Sequence, residues 1–174
     1  MLETTRLRLL PWEEGEEALF EPLATDPLVM RFISGGVPWS EEQIGEVVGR
    51  WRSTYAARGF TRWRLELKST GETIGFCGPG ILQGFDEVEI GWWLAPAHWR
   101  HGYATEAGMA ARDDAFGRCG LEKLISVTMQ ENGASQRVMQ RLGFQFERDA
   151  MFRGSLHVVY SLTREEWERA LPAR

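Results

Sequence analysis

Cysteine and histidine are scarce in these 174 residues, two of the first and three of the second. Cys77 and Cys119 lie too far apart for a CxxC pair and are too few for a disulfide framework, so both read as small buried residues. His98, His101 and His157 have no spacing that gathers a ligand set, and no metal is expected. Long apolar runs are missing too. No stretch approaches the roughly 20 residues of a membrane span, and the start MLETTRLRLL lacks the apolar centre of a signal peptide, so a cytoplasmic chain with no membrane partner is expected. Basic residues are not in excess: the formal net charge is -5, with both signs mixed along the chain. The positive footprint that nucleic acid requires is therefore absent, and nucleic acid is not an expected partner. With no repeat, linker or low-complexity tract, residues 1–174 are expected to form a single domain around one core.

What the chain has in quantity is aromatic surface, in eight Trp, nine Phe and three Tyr. Such rings mostly build cores. TTRLRLLPW sets Leu7 and Leu9 against Arg6 and Arg8 at the period of a half-buried strand, which Pro11 ends. EEGEEALFEPLATDPLVMRFI has acids in its first turn and reads as a helix broken into two short pieces by its proline and its Asp-Pro step. Ser40 and Gln43 make a capping box before the apolar stripe Ile44, Val47, Val48, Trp51 and Tyr55, predicting a helix of about four turns that Gly59 ends. FTRWRLEL is a second strand. In GETIGFCGPGIL, Gly75, Gly78 and Gly80 have nearly the spacing of a dinucleotide loop, but Pro79 interrupts them and no helix follows, so a bulged third strand is expected. DEVEIGWWLA, LEKLISVTM, FQFERDA and HVVYSL complete seven strands. Helices fall at YATEAGMAARDDAFGRCG, NGASQRVMQRLG and TREEWERAL, a mixed α/β pattern.

The stretch WWLAPAHWRHGYATEA carries the chemistry. A helix starting at Tyr103 has unpaired backbone N–H groups and a partial positive charge at its first turn. Gly102 removes the side chain that would keep an anion from that backbone, and Arg100 and His101 add donors just before it. The helix behind it has a stripe of small residues, Ala104, Ala107, Ala111 and Ala115, that allows close packing on a sheet. No lysine follows the glycine, so this is not the loop of a nucleotide hydrolase. In ENGASQRVMQRLGF, Asn132 caps a helix, Ser135 lies on its first turn, and Ala134, Val138 and Leu142 form its expected buried line.

TTRLRLLPW, LATDPLVMRFI, GETIGF, VEIGWWLAPAHWRHGYATEA and NGASQRVMQRLGF, in this order, resemble the GNAT acetyltransferase superfamily, in the branch of the ribosomal-protein N-terminal acetyltransferases. The resemblance runs nearly end to end. It implies a mixed, mostly antiparallel sheet of about seven strands with helices on both faces, whose fourth and fifth strands splay apart. The pantetheine arm of acetyl-CoA would lie in that gap against Trp92, Trp93 and Leu94. Its diphosphate would rest on Arg100, His101, Gly102, Tyr103, Ala104 and Thr105, with Asn132 and Ser135 near the arm and thiol. Trp99 stands where the superfamily pattern usually has Gln or Arg, which removes one side-chain phosphate ligand.

The implied reaction is attack of a primary amine on the thioester, with a backbone N–H near Leu94 facing the oxyanion. Met139 occupies the place of a tyrosine that protonates the thiolate in many relatives, which leaves Ser135 as the candidate acid. Glu89 is the first candidate base, if strand parity points it to the correct face, and His157 the second. The acceptor amine, a peptide N-terminus or a small molecule, would pass walls drawn from Phe32, Trp39, Trp51 and Trp92. A homodimer is a family habit. The competing reading is a non-catalytic acyl-CoA-binding or sensing module.

Overall fold

The computed structural model describes residues 1–171. The first alternation yields β1 (Leu2–Glu3) and β2 (Leu7–Leu10), with Leu7 and Leu9 fully buried. The acidic segment divides into α1 (Glu17–Thr25) and α2 (Pro27–Met30) at Asp26, whose carboxylate accepts from the amides of Leu28 and Val29. Pro22 does not break α1. It lies on the exposed face, where water can reach the Ala18 carbonyl that its missing N–H leaves unpaired. The capping box forms: Gln43 N–H donates to Ser40 Oγ at 3.2 Å, and Ser40 N–H donates back to Gln43 Oε1 at 2.9 Å. It opens α3 (Glu41–Arg58), which at 18 residues runs five turns rather than four.

Then come β3 (Trp63–Leu67), β4 (Thr73–Ile81) and β5 (Val88–Leu94), a 3-10 turn at Pro96–His98, and α4 (Tyr103–Gly117). β6 (Lys123–Met129), α5 (Gly133–Arg141), β7 (Gln145–Phe152), β8 (Ser155–Thr163) and α6 (Arg164–Ala170) complete the order. The strands form one sheet in the order β1-β2-β3-β4-β5-β6-β8-β7. Its eighth strand is the two-residue β1, too short to leave a period in the sequence. The expected bulge is present: Leu65 faces Gly75 and Glu66 faces Thr73, so Ile74 is the extra residue of β4.

Every pairing is antiparallel except β5 with β6, which run parallel and share one register pair, Glu89 with Ile125. Past that pair the two strands diverge, as the splayed pair was expected to. One face of the sheet packs against α4 and α5 through Ile90, Leu94, Ala107, Ala111, Ala115, Met139 and Leu142. The opposite face packs Phe76 against Phe20, Leu23, Val29, Ile44 and Val48 of α1, α2 and α3.

Candidate active site

Strand pairing decides which backbone groups face the gap. Antiparallel partners alternate between bonded and non-bonded pairs, and Pro79, opposite Ile90, has no N–H to give. Pro79 and Ile90 therefore form a non-bonded pair, so Gly91 and Trp93 direct their backbone groups to β4, while Ile90, Trp92 and Leu94 direct theirs toward β6. Two bonds agree with this phase: Ala95 N–H reaches Ile74 O at 2.9 Å, and Ser126 Oγ of β6 reaches Ile90 O at 2.9 Å. Leu94 O is taken by the Trp99 indole at 2.7 Å. The Trp92 N–H and C=O and the Leu94 N–H thus line the open wedge. Trp93 does not join them. Its side chain lies on the opposite face, 5.1 Å from the Phe76 ring and 5.6 Å from that of Phe20.

At the C-terminal end of β5 the chain turns through Arg100, at φ 64, and Gly102, at φ 82, into α4. Gly102 is the N-cap and no side chain caps the helix. The first bond of the helix runs from Glu106 N–H to Gly102 O at 3.0 Å, so the amides of Tyr103, Ala104 and Thr105 precede it without an intrahelical partner. Arg100 and His101 are exposed, and the His101 ring stacks on Tyr103 at 5.8 Å. Ala107, Ala111 and Ala115 are fully buried, as the small-residue stripe predicted, and Ala104 partly so. This turn follows β5 directly, so the outward amides of β5 lead along the β5–β6 gap to a positive helix end.

Asn132 accepts from Ser135 N–H at 3.2 Å, a cap that leaves its side-chain NH2 for other use. Ser135 is half-buried on the first turn of α5. The expected buried line of that helix needs correction. Leu142 is buried as expected and Val138 partly so, but Ala134 is exposed and Met139 is buried in its stead. The phase follows from packing on α4, where Gly108 has no side chain and Leu142 fills the space: a Cβ there would stand 2.7 Å from it. Met139 is consequently a core side chain.

Parity also settles the face of Glu89, which shares the α1–α3 side with Gly91 and Trp93. It is buried, and its Oε2 accepts from Nη2 of Arg62, whose Nη1 donates to Gly78 O. Sequence reading missed Arg62. The guanidinium occupies a slot made by absent side chains: a Cβ on Gly80 or Gly91 would each come within 2.9 Å of it. Burial pushes the Arg62 pKa down to about 10, which leaves it charged at neutral pH. Burial also pushes the Cys77 thiol up to about 12, so it is no nucleophile.

The same face holds a cluster of rings. Trp12, Phe20, Trp39, Trp51, Phe76 and Trp93 make successive contacts at 4.7 to 6.3 Å between centroids. Trp39, Trp51 and Phe32 are half-buried, and Trp92, also half-buried, packs on the opposite face toward α4. His157 lies opposite Met129 on β8, its Nδ1 3.0 Å from Ser155 O. Among the described residues no helix is long and apolar enough to cross a membrane.

A family model described as an acetyltransferase (GNAT) domain matches residues 6–145. The protein YkkB of Bacillus subtilis (strain 168) is 34% identical over 150 residues, which cover 84% of this chain and 86% of that one. YoaA of the same organism, named as an uncharacterized N-acetyltransferase, is 32% identical over 149 residues, 84% of either chain. An acetyltransferase from Agrobacterium tumefaciens str. C58 has a solved structure that superposes with a TM-score of 0.81 at 28% identity, covering 92% of each chain.

Proposed function

Because the chain belongs to the GNAT acetyltransferase family, we propose that residues 1–174 act as one domain that moves the acetyl group of acetyl-CoA onto a primary amine, by direct attack within a ternary complex. One observation carries this reading: unpaired strand amides in the β5–β6 wedge run into an uncapped helix N-terminus. An extended ligand with amides along its length and a diphosphate at its end complements both parts.

The residues present fit that donor. The Leu94 N–H and the Trp92 N–H and C=O extend the sheet onto the pantetheine arm, and Gly102 to Thr105 hold the diphosphate with Arg100 and His101 beside them. When bound, acetyl-CoA supplies a thioester carbonyl as electrophile. β5 runs toward the turn, so Leu94 lies at its diphosphate end and Trp92 nearer the apex. The amide facing a developing oxyanion is therefore that of Trp92 rather than of Leu94. The free NH2 of Asn132 orients the arm, and the Ser135 hydroxyl serves as proton donor to the leaving sulfur.

Glu89 faces the α1–α3 side, from which the amine arrives. An alkylammonium with a pKa of about 10 must lose a proton before or during attack, and a carboxylate receives it directly or through water. Arg62 holds that carboxylate in place by donating to its Oε2. The net charge of -5 favours the approach of a cationic acceptor, either a peptide N-terminus or a small amine.

Calorimetric titration with CoA, followed by thiol release from acetyl-CoA with peptides and small amines as acceptors, tests this. Binding with turnover on at least one amine is expected, and Glu89→Gln should lower kcat by about 10² to 10⁴. Tight binding without turnover on any acceptor would favour a sensing module, and absence of binding would end the proposal.

A further inference from the structure

Arg6 touches the turn that opens α4. Its guanidinium carbon lies 4.4 Å from the ring centroid of Tyr103, and its Nη1 donates to the His101 carbonyl at 2.9 Å. Nε donates to Glu106 Oε2 at 2.6 Å, and Nη2 lies 2.6 Å from the same oxygen. The second oxygen of Glu106 accepts from the Thr4 hydroxyl at 2.6 Å and from the Arg6 N–H at 2.8 Å. The link between β1 and β2 is thereby fastened to the first turn of α4, across a sequence separation of about 100 residues.

Two physical consequences follow for an anion on this turn. A trans peptide unit points its carbonyl and its N–H in opposite directions. Holding the His101 carbonyl toward Arg6 therefore aims the Gly102 N–H away from Arg6, where it can join the free amides of Tyr103, Ala104 and Thr105. The turn needs such a hold, because Arg100 sits at φ 64, an unfavourable conformation for a residue with a side chain. The second consequence is electrostatic. Glu106 stands in the first turn of the helix, beside the proposed diphosphate, and unpaired it would repel that ligand. Arg6 neutralises it.

We propose that Arg6 is a positioning residue for the diphosphate of the acyl donor, clamping the His101 carbonyl and screening Glu106 so that the Gly102 to Thr105 amides stay in binding orientation. The role rests on the acetyl-CoA reading above, and it compensates for Trp99, which offers no phosphate ligand where the superfamily pattern usually has Gln or Arg.

The test is calorimetry of the full chain with two probes, CoA and pantetheine, which lacks the diphosphate. Arg6→Gln removes the charge-assisted bonds and should weaken CoA binding about tenfold while leaving pantetheine affinity unchanged. Arg6→Lys should fall between, since one ammonium cannot span both partners as the guanidinium fork does. Equal CoA affinity in wild type and Arg6→Gln overturns the role, and so does an equal loss for both probes, which marks general loosening. Should Arg6→Gln fail to fold, full retention of CoA affinity by Arg6→Lys counts against the clamp. A wild-type chain that binds no CoA would instead remove the underlying reading of the site.

Discussion

Replacing Glu89 with Met leaves the Arg62 guanidinium, whose side chain is 9% exposed, with one protein acceptor, the Gly78 carbonyl. Replacing Arg62 with Met leaves a carboxylate 8% exposed without its cation. Neither group can turn to solvent, so screening gives little relief, and each single change should cost about 3–5 kcal/mol. Independent losses would add to about 6–10 kcal/mol, most of the stability of an ordinary domain. Strong coupling is expected instead. The double variant removes both charges and fills the slot with two chains of similar bulk, so it should be less destabilised than either single variant. Urea unfolding followed by tryptophan fluorescence measures this, because Trp12, Trp51 and Trp93 lie on the same face of the sheet. Additive losses, with a double variant as unstable as the sum, would refute the pairing. The folded double variant also separates stability from chemistry: lacking the proposed proton acceptor, it should lose acetyl transfer by about 10² to 10⁴ despite its recovered fold.

Gly75 has φ +155, and a Cβ there would fall 2.1 Å from the Trp93 carbonyl oxygen, so Gly75→Ala should cost about 3 kcal/mol or more in urea unfolding; a change below about 0.5 kcal/mol would show that the strands yield freely. For Glu106, burial works against ionisation, but hydrogen bonds from Thr4 and Arg6 outweigh it and hold the carboxyl below its ordinary value of 4.5. A carboxylate depressed in the folded state adds stability above its unfolded pKa and loses it as pH falls through the folded one. Thermal midpoints of wild type should therefore drop more steeply below pH 4.5 than those of Glu106→Gln, and parallel curves would refute the assignment.

Features set by a few adjacent residues were legible in the sequence. Ser40 and Gln43 cap α3 as read, Asp26 divides α1 from α2, and Gly102 opens α4. The first two rest on backbone groups that neighbouring residues satisfy and the third on the positive φ that glycine accepts, so local chemistry suffices. What escaped depends on partners distant in the chain. The phase of α5, with Met139 buried and Ala134 exposed, is set by the missing side chain of Gly108 on another helix. Nothing in FTRWRLEL itself marks Arg62 as buried, yet glycines on β4 and β5 give it an interior slot. Those glycines at 80 and 91 were the available signal: small residues clustered on adjacent strands leave a volume that another side chain must fill. Glu89 could not be assigned a face until its neighbours on β4 fixed the pairing phase.

The unfinished junction between β5 and β6 also bears on which activated acyl compounds this protein can tell apart. Acetyl phosphate offers comparable charge to the helix end but contains no peptide-like linkage, so it could satisfy that end while leaving Trp92 and Leu94 bare. A carrier bearing two amides would do both, and recognition would then be written into main-chain valences that point mutation cannot easily erase.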